Sequence, residues 1–229
     1  MMCSTTKFSD VIPDKLVCKT FKNMQLIQYN EEQITVQSPW VQLTHYGIPR
    51  IDKFNATEES RRYLRVLLVD DDDDFVAFVK SMDKHFDSED FRNKFLKGKE
   101  QQFQYFPMFK ETNNEKYPPS MKLKLDVRDN NILTDIIQMK DSKTGDRVKV
   151  VDMDDVMKAI PYRSEVRFIF KIQRLWVQPS MKGYGVILKL RKIQVKRNSK
   201  TTDNQEDFID SDNEGVFLDD TSLEGTSEQ

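Results

Sequence analysis

Glycine is scarce, 7 of 229 residues. That weighs against a glycine-rich nucleotide-binding enzyme, whose loops need bare backbone close to phosphate. Gly183 and Gly185 form a Gly-x-Gly pair. It lacks a third glycine opening a helix, or a following Gly-Lys-Ser/Thr, so it reads as a turn and not a phosphate loop. Cysteine is scarcer still: Cys3 and Cys18 are the only two, too few to build a four-ligand metal site alone. The first residues carry no apolar stretch of roughly 7–15 residues, so a reduced, intracellular compartment is the expectation. The two histidines, His45 and His85, have no cysteine or carboxylate at metal spacing. No Ser-His-Asp or His-Cys set assembles. No segment approaches the ~20 apolar residues of a membrane span. No catalytic residue, metal or cofactor is expected.

Charge is abundant, and its distribution is uneven. The chain carries 36 basic and 38 acidic side chains, a net −2. Ten of the acids lie in residues 201–229, which contain no Lys or Arg. The first 200 residues therefore hold a net +8. Such asymmetry points to a polyanion-binding body with an acidic interaction tail. Residues 161–200 concentrate the charge further, with eleven basic side chains opposed by Glu165 alone.

Periodicity places the elements. Ile34-Thr35-Val36 and Trp40-Val41-Gln42-Leu43 read as short strands within an otherwise mixed N-terminal segment. Residues 47–56 read as loop, and Tyr63 to Val69 as a strand. Phe75, Phe78, Val79, Met82 and Phe86 recur at helical spacing. Asp70 to Asp74 sit at that helix start, where acid complements the dipole. They lack the spacing of a Ca²⁺ loop. Ser88 is a candidate N-cap for a second helix bearing Phe91 and Phe95. Residues 101–109 are an aromatic-dense extended stretch. Met121, Leu123 and Leu125 alternate with Lys122, Lys124 and Asp126, the pattern of a half-buried strand. Thr144-Gly145-Asp146 reads as a turn into a strand over 147–151, and residues 152–160 as a short helix.

The clearest pattern follows. Val166, Phe168, Phe170 and Ile172 are apolar, with Arg167 and Lys171 between them. Residues 178–183 supply turn chemistry. Val186, Leu188 and Leu190 then alternate with Lys189 and Arg191, until the phase slips at Arg191-Lys192 before Ile193 and Val195. A β-bulge is the simplest cause. Arg167, Lys171, Lys189 and Arg191 are expected to share the outward face of one basic hairpin.

Cations that track phosphates, with aromatic rings that stack on bases, hold single-stranded nucleic acid. On this hairpin the expected phosphate contacts are Arg167, Lys171, Arg174, Lys182, Lys189, Arg191 and Lys192. Trp176 and Tyr184 are the expected stacking rings. Leu175 and Trp176 are adjacent, so one of them faces out. Trp40, Tyr105 and Phe109 are further aromatics near polar or basic neighbours. Beyond Lys196 periodicity is lost, and residues 198–229 have a composition that cannot offset chain entropy. Two small apolar clusters stand in this tail: Phe208, Ile209, Asp210 and Asp212, then Phe217, Leu218, Asp219 and Asp220. A partner could dock on them, or the tail could compete for the basic hairpin.

The segments Tyr162-Arg163-Ser164-Glu165-Val166-Arg167-Phe168-Ile169-Phe170, Leu175-Trp176-Val177 and Lys182-Gly183-Tyr184-Gly185-Val186, with Lys189 and Gln194-Val195, resemble a known family. They are similar to the single-stranded DNA-binding proteins of nucleocytoplasmic large DNA viruses. There an arginine-bearing strand leads to a Leu/Ile-Trp pair, a short loop and a glycine-containing strand. The resemblance covers residues 162–195. It implies an OB-like barrel, a role in viral DNA replication, repair or recombination, and no enzymatic activity. It also implies a host cytoplasmic virus factory, or the nucleus, as the site of action. The tail is similar in kind to those of bacterial and phage single-strand-binding proteins, without the apolar residue at the extreme C-terminus.

The expectation is thus a mainly β chain: an OB-like β-barrel with helical insertions over residues 1–197, and a disordered acidic tail over 198–229. It would bind single-stranded DNA, meet replication proteins through the tail, and self-associate. The alternatives are a protein-interaction or assembly subunit, and an RNA-binding protein in viral transcription.

Overall fold

Short strands begin the chain in the computed structural model, which describes residues 5–22, 24–68, 73–111 and 118–196. The acidic tail with its two apolar clusters, and Asp70 to Asp72, lie outside the described residues. Strand β1 (Thr5–Lys7) precedes a hairpin of β2 (Leu16–Phe21) and β3 (Met24–Tyr29). Then come β4 (Thr35–Gln37), β5 (Val41–Gln42) and β6 (Tyr63–Leu67). Helices α1 (Asp74–Asp87) and α2 (Glu89–Phe95) follow. Next are β7 (Gln104–Phe106), β8 (Ser120–Leu125), β9 (Val127–Arg128), β10 (Asn131–Ile132), β11 (Asp135–Met139) and β12 (Gly145–Val148). Helix α3 (Met153–Ala159) leads to two long strands, β13 (Glu165–Gln178) and β14 (Gly183–Lys196). The fold is mainly β with inserted helices, as the periodicity predicts.

The β13–β14 hairpin is the spine of the sheet. Along its outer edge β13 pairs in turn with β5 at Val166, β4 at Phe170 and β3 at Arg174. Along the opposite edge β14 pairs with β7 at Tyr184, β8 at Leu190 and β11 at Ile193. Strands β2, β1, β6 and β12 extend these neighbours outward.

The inner face carries the core. Val166, Phe168, Phe170 and Ile172 of β13 are buried, as are Leu188, Leu190, Ile193 and Val195 of β14. Helix α1 buries Phe75, Phe78, Val79, Met82 and Phe86, and Phe75 meets Phe168 edge-on at 6.0 Å. Each such side chain contributes roughly 1.5–3 kcal/mol of transfer free energy. Ser88 caps the second helix as the sequence predicts, its Oγ accepting from Phe91 N–H at 3.1 Å, and within the acidic run at the first helix start it is Asp73 that caps, its carboxylate accepting from Phe75 N–H at 2.7 Å.

Two parts of the sheet differ from the sequence reading. The mixed N-terminal segment contains the β2–β3 hairpin, and residues 135–139 form β11. In β2 and β3 only Leu16 and Ile27 are buried, so neither strand shows a sustained apolar alternation. The connecting turn has no glycine, and Lys22 takes its positive φ of 53°.

Candidate nucleic-acid interface

Residues paired across neighbouring strands point to the same face. The register therefore defines the outward surface of the spine, opposite α1. One row runs Lys7, Gln37, Ile169, Lys192, Asp135 across five strands. The next runs Thr5, Thr35, Lys171, Lys189, Lys124. On the other side of the first row lies Arg167, Gln194, Ile137, Arg147.

Two irregularities in the β13–β14 ladder set this composition. The register shifts between Ile169 and Phe170, where Arg191 is the extra residue, and between Ile172 and Arg174, where Gln173 is. The first is the bulge expected from the phase slip. The second is not in the sequence reading, although Ile172 and Leu175, three apart, carry the same signal. Each bulge reverses the alternation beyond it. Without the Arg191 bulge Lys192 would point into the core. Without the Gln173 bulge Arg174 and Trp176 would share the inner face with Ile172.

The candidate cations have different surroundings. Arg167 donates from Nε to Gln194 Oε1 at 2.9 Å, and Lys171 donates to Gln33 Oε1. Arg174 is half-buried, and its Nε has no hydrogen-bond partner among the described residues. Lys192 is half-buried on the outward face. Lys182 is exposed in the connecting turn, with a left-handed φ of 47°. Lys189 and Arg191 both bind one carboxylate: Asp126, only 6 % exposed, meets Lys189 Nζ at 2.8 Å and also Arg191 Nη1. Those three residues leave one net positive charge. Arg191 is thus an exposed bulge residue tied to the same carboxylate as Lys189 of the outward row, and Lys192 is its paired neighbour on that face.

The aromatic candidates divide. Leu175 is buried and Trp176 is half-buried on the outward face. Its ring lies 5.5 Å from Phe106. Gly185 pairs with Trp176 on one side and with Phe106 on the other. A Cβ at Gly185 would stand 2.8 Å from the indole, and one at Gly183 would stand 2.3 Å from the Phe106 ring. These two glycines form a floor on which both rings rest. Tyr184 corrects the sequence reading: it is fully buried, and its hydroxyl donates to the Phe86 carbonyl at 2.7 Å. Burial holds its phenol above the ordinary range, and no ring face is left for a base. Tyr105 and Phe109 are also core, each 6 % exposed.

Several contributors escaped the sequence reading. Phe106 is held in place by Asp83 of α1. That carboxylate accepts from the Tyr105 hydroxyl at 2.6 Å, Met108 N–H at 2.8 Å and Phe109 N–H at 2.8 Å. Burial raises the Asp83 pKa. Lys7 and Lys124 join the basic rows only through strand pairing, which no local pattern reveals. Trp40, one of the further aromatics singled out in the sequence, stands at the opposite end of β13 from Trp176, with Lys196 Nζ 3.8 Å and Arg167 Cζ 4.8 Å from its ring centroid.

Among the described residues no group of three or more His, Cys, Asp or Glu could hold a metal ion. Among the same residues no helix is long and apolar enough to cross a membrane.

No protein-family model matches the chain, and no curated protein matches it. Among solved structures it is similar to a single-stranded DNA-binding protein from bacteriophage Enc34. With the C-terminally truncated form it shares 14 % identity over 82 % of this chain and 99 % of that one, at a TM-score of 0.44. With the other Enc34 chain the identity is 14 % over 82 % and 96 %, at a TM-score of 0.42.

Proposed function

We propose that the chain is a non-enzymatic single-stranded DNA-binding protein, and that the strand runs along the outward face of β13–β14. One observation carries the reading: two bulges bring Arg167, Lys171, Arg174 and Lys192 to the same face as Trp176. Phosphates meet these cations and Lys182, with one further net charge from Lys189, Arg191 and Asp126. A base stacks on Trp176, which Phe106 supports. Stacking tolerates any base, so the proposed recognition is general. The finer reading is protection and organisation of viral DNA during replication, repair or recombination. The acidic tail beyond Lys196 recruits replication proteins through its apolar clusters. The viral role rests on the family resemblance of residues 162–195, and the role of the tail on its apolar clusters within acid.

The test is fluorescence anisotropy of a labelled oligothymidine and of duplex of equal length, at two salt concentrations. The expected result is single-strand preference, with log affinity falling against log salt by about 0.7 per phosphate contact. Equal binding of duplex, or affinity indifferent to salt, would overturn the proposal. Matched oligouridine decides between DNA and RNA, because that choice rests on contacts to the 2′-hydroxyl.

A further inference from the structure

A cleft of about 280 Å³ opens at the end of the spine opposite Trp176, lined in part by Lys7, Gln37, Ser38, Trp40 and Arg167. Lys7 pairs with Gln37, and Gln37 with Ile169, so the cleft belongs to the outward face already described. Its volume is just under the roughly 300–1,000 Å³ of ordinary ligand pockets, which suits one small unit and no large molecule. Its chemistry is mixed in a specific way. The Arg167 guanidinium lies over the Trp40 ring and Lys196 Nζ stands 3.8 Å from its centroid, so a base stacks here on the guanidinium plane, or on the indole in place of one of the two cations. Lys7 is exposed at the rim, and Arg167 adds a second positive charge.

We propose that this cleft is a second nucleotide subsite, which takes one base against Trp40 and Arg167 and its phosphate at Lys7. This rests on the single-strand reading above and extends it. Arg167 and Trp176 are nine residues apart on one strand, about 30 Å at ~3.3 Å per residue. The bound strand therefore spans the whole hairpin between two aromatic stations, and its footprint is several nucleotides.

Trp40 and Trp176 are the chain's two tryptophans, so each can be watched alone. The full-length W176F variant reports Trp40, and W40F reports Trp176. Oligothymidine is added while anisotropy of a labelled copy measures occupancy independently. Trp40 emission is expected to be quenched as the oligonucleotide saturates W176F. In the unaltered background, Lys7→Gln should leave the melting temperature unchanged and reduce the salt slope by about 0.7, one single-strand phosphate contact. Occupancy without any change in Trp40 emission, together with an unaltered salt slope in K7Q, would overturn the second subsite and leave the Trp176 face standing. If W176F binds too weakly to saturate, the K7Q slope and the affinity of W40F decide. An absence of binding by the unaltered chain overturns both proposals.

Discussion

Trp176 and Tyr184 are paired as stacking candidates in the sequence, and the structure gives them opposite surroundings, Trp176 half-buried on the outward face and Tyr184 buried in the core. Trp176→Ala should lower oligothymidine affinity by roughly 5- to 150-fold, the equivalent of ~1–3 kcal/mol per stacked base. Tyr184→Phe should leave affinity unchanged and lower unfolding free energy by about 0.5–1.5 kcal/mol, since it deletes the bond to the Phe86 carbonyl. Anisotropy and denaturant melts separate the two outcomes. Trp176 was half legible: its adjacency to Leu175 shows that one of the two faces out, and the Gln173 bulge decides that it is Trp176. Tyr184 was legible but misread: it stands two residues before Val186, in the phase of Val186, Leu188 and Leu190, so the alternation already placed it inward. Cys18 gives a pH effect. Burial pushes its thiol up to about 12 from 9.0. Above pH 9 the unfolded thiol ionises while the folded one keeps its proton, so this group's contribution to stability is lost as pH rises from 9 towards 12. Cys18→Ala should flatten that alkaline decline in melting experiments compared with the unaltered chain.

At the scale of the element, the bulges and the β7 support matter most. Gly185→Ala places a Cβ where the indole already lies, 2.8 Å away. The ring must lift from its floor, so affinity should fall towards that of W176A while the core, on the other face, stays packed. Near-native affinity for G185A would show that the position of the indole is unimportant. Asp83→Asn retains one acceptor oxygen for three donors. One donor is left without its partner, for a loss of about 1–3 kcal/mol, and Phe106 loses its fixed support. Melts and anisotropy on the same variant should both move. The helices were legible from apolar spacing, from the acidic run at the first helix start and from Ser88 as a cap, because those signals are local. The β2–β3 hairpin was not, since its strands bury one residue each and its turn uses Lys22 in place of glycine. The rows of cations were half legible: alternation shows which residues of one strand share a face, but pairing decides which strands lie beside it.

For the whole molecule, the division of charge is the controlling quantity. On the proposed reading the acidic tail competes with added polyanion for the basic body of the same chain. A chain ending at Lys200 should bind oligothymidine more tightly than the full chain at low salt. The two affinities should converge as salt shortens the reach of charge to a few ångströms. An identical affinity at low salt would assign the tail to other partners alone.

The spine hairpin also dictates when folding can happen. Strands β3, β4, β5, β7, β8 and β11 all precede β13 and β14 in the chain, yet each finds its pairing there. A ribosome releasing this protein exposes those edge strands first and their common template last. Contacts so distant in sequence slow folding, and the waiting edges are the surfaces most prone to pair with another chain. Successful folding therefore depends on holding some 160 residues in solution until β13 and β14 emerge, which makes early chaperone engagement more consequential here than in a sheet assembled in chain order.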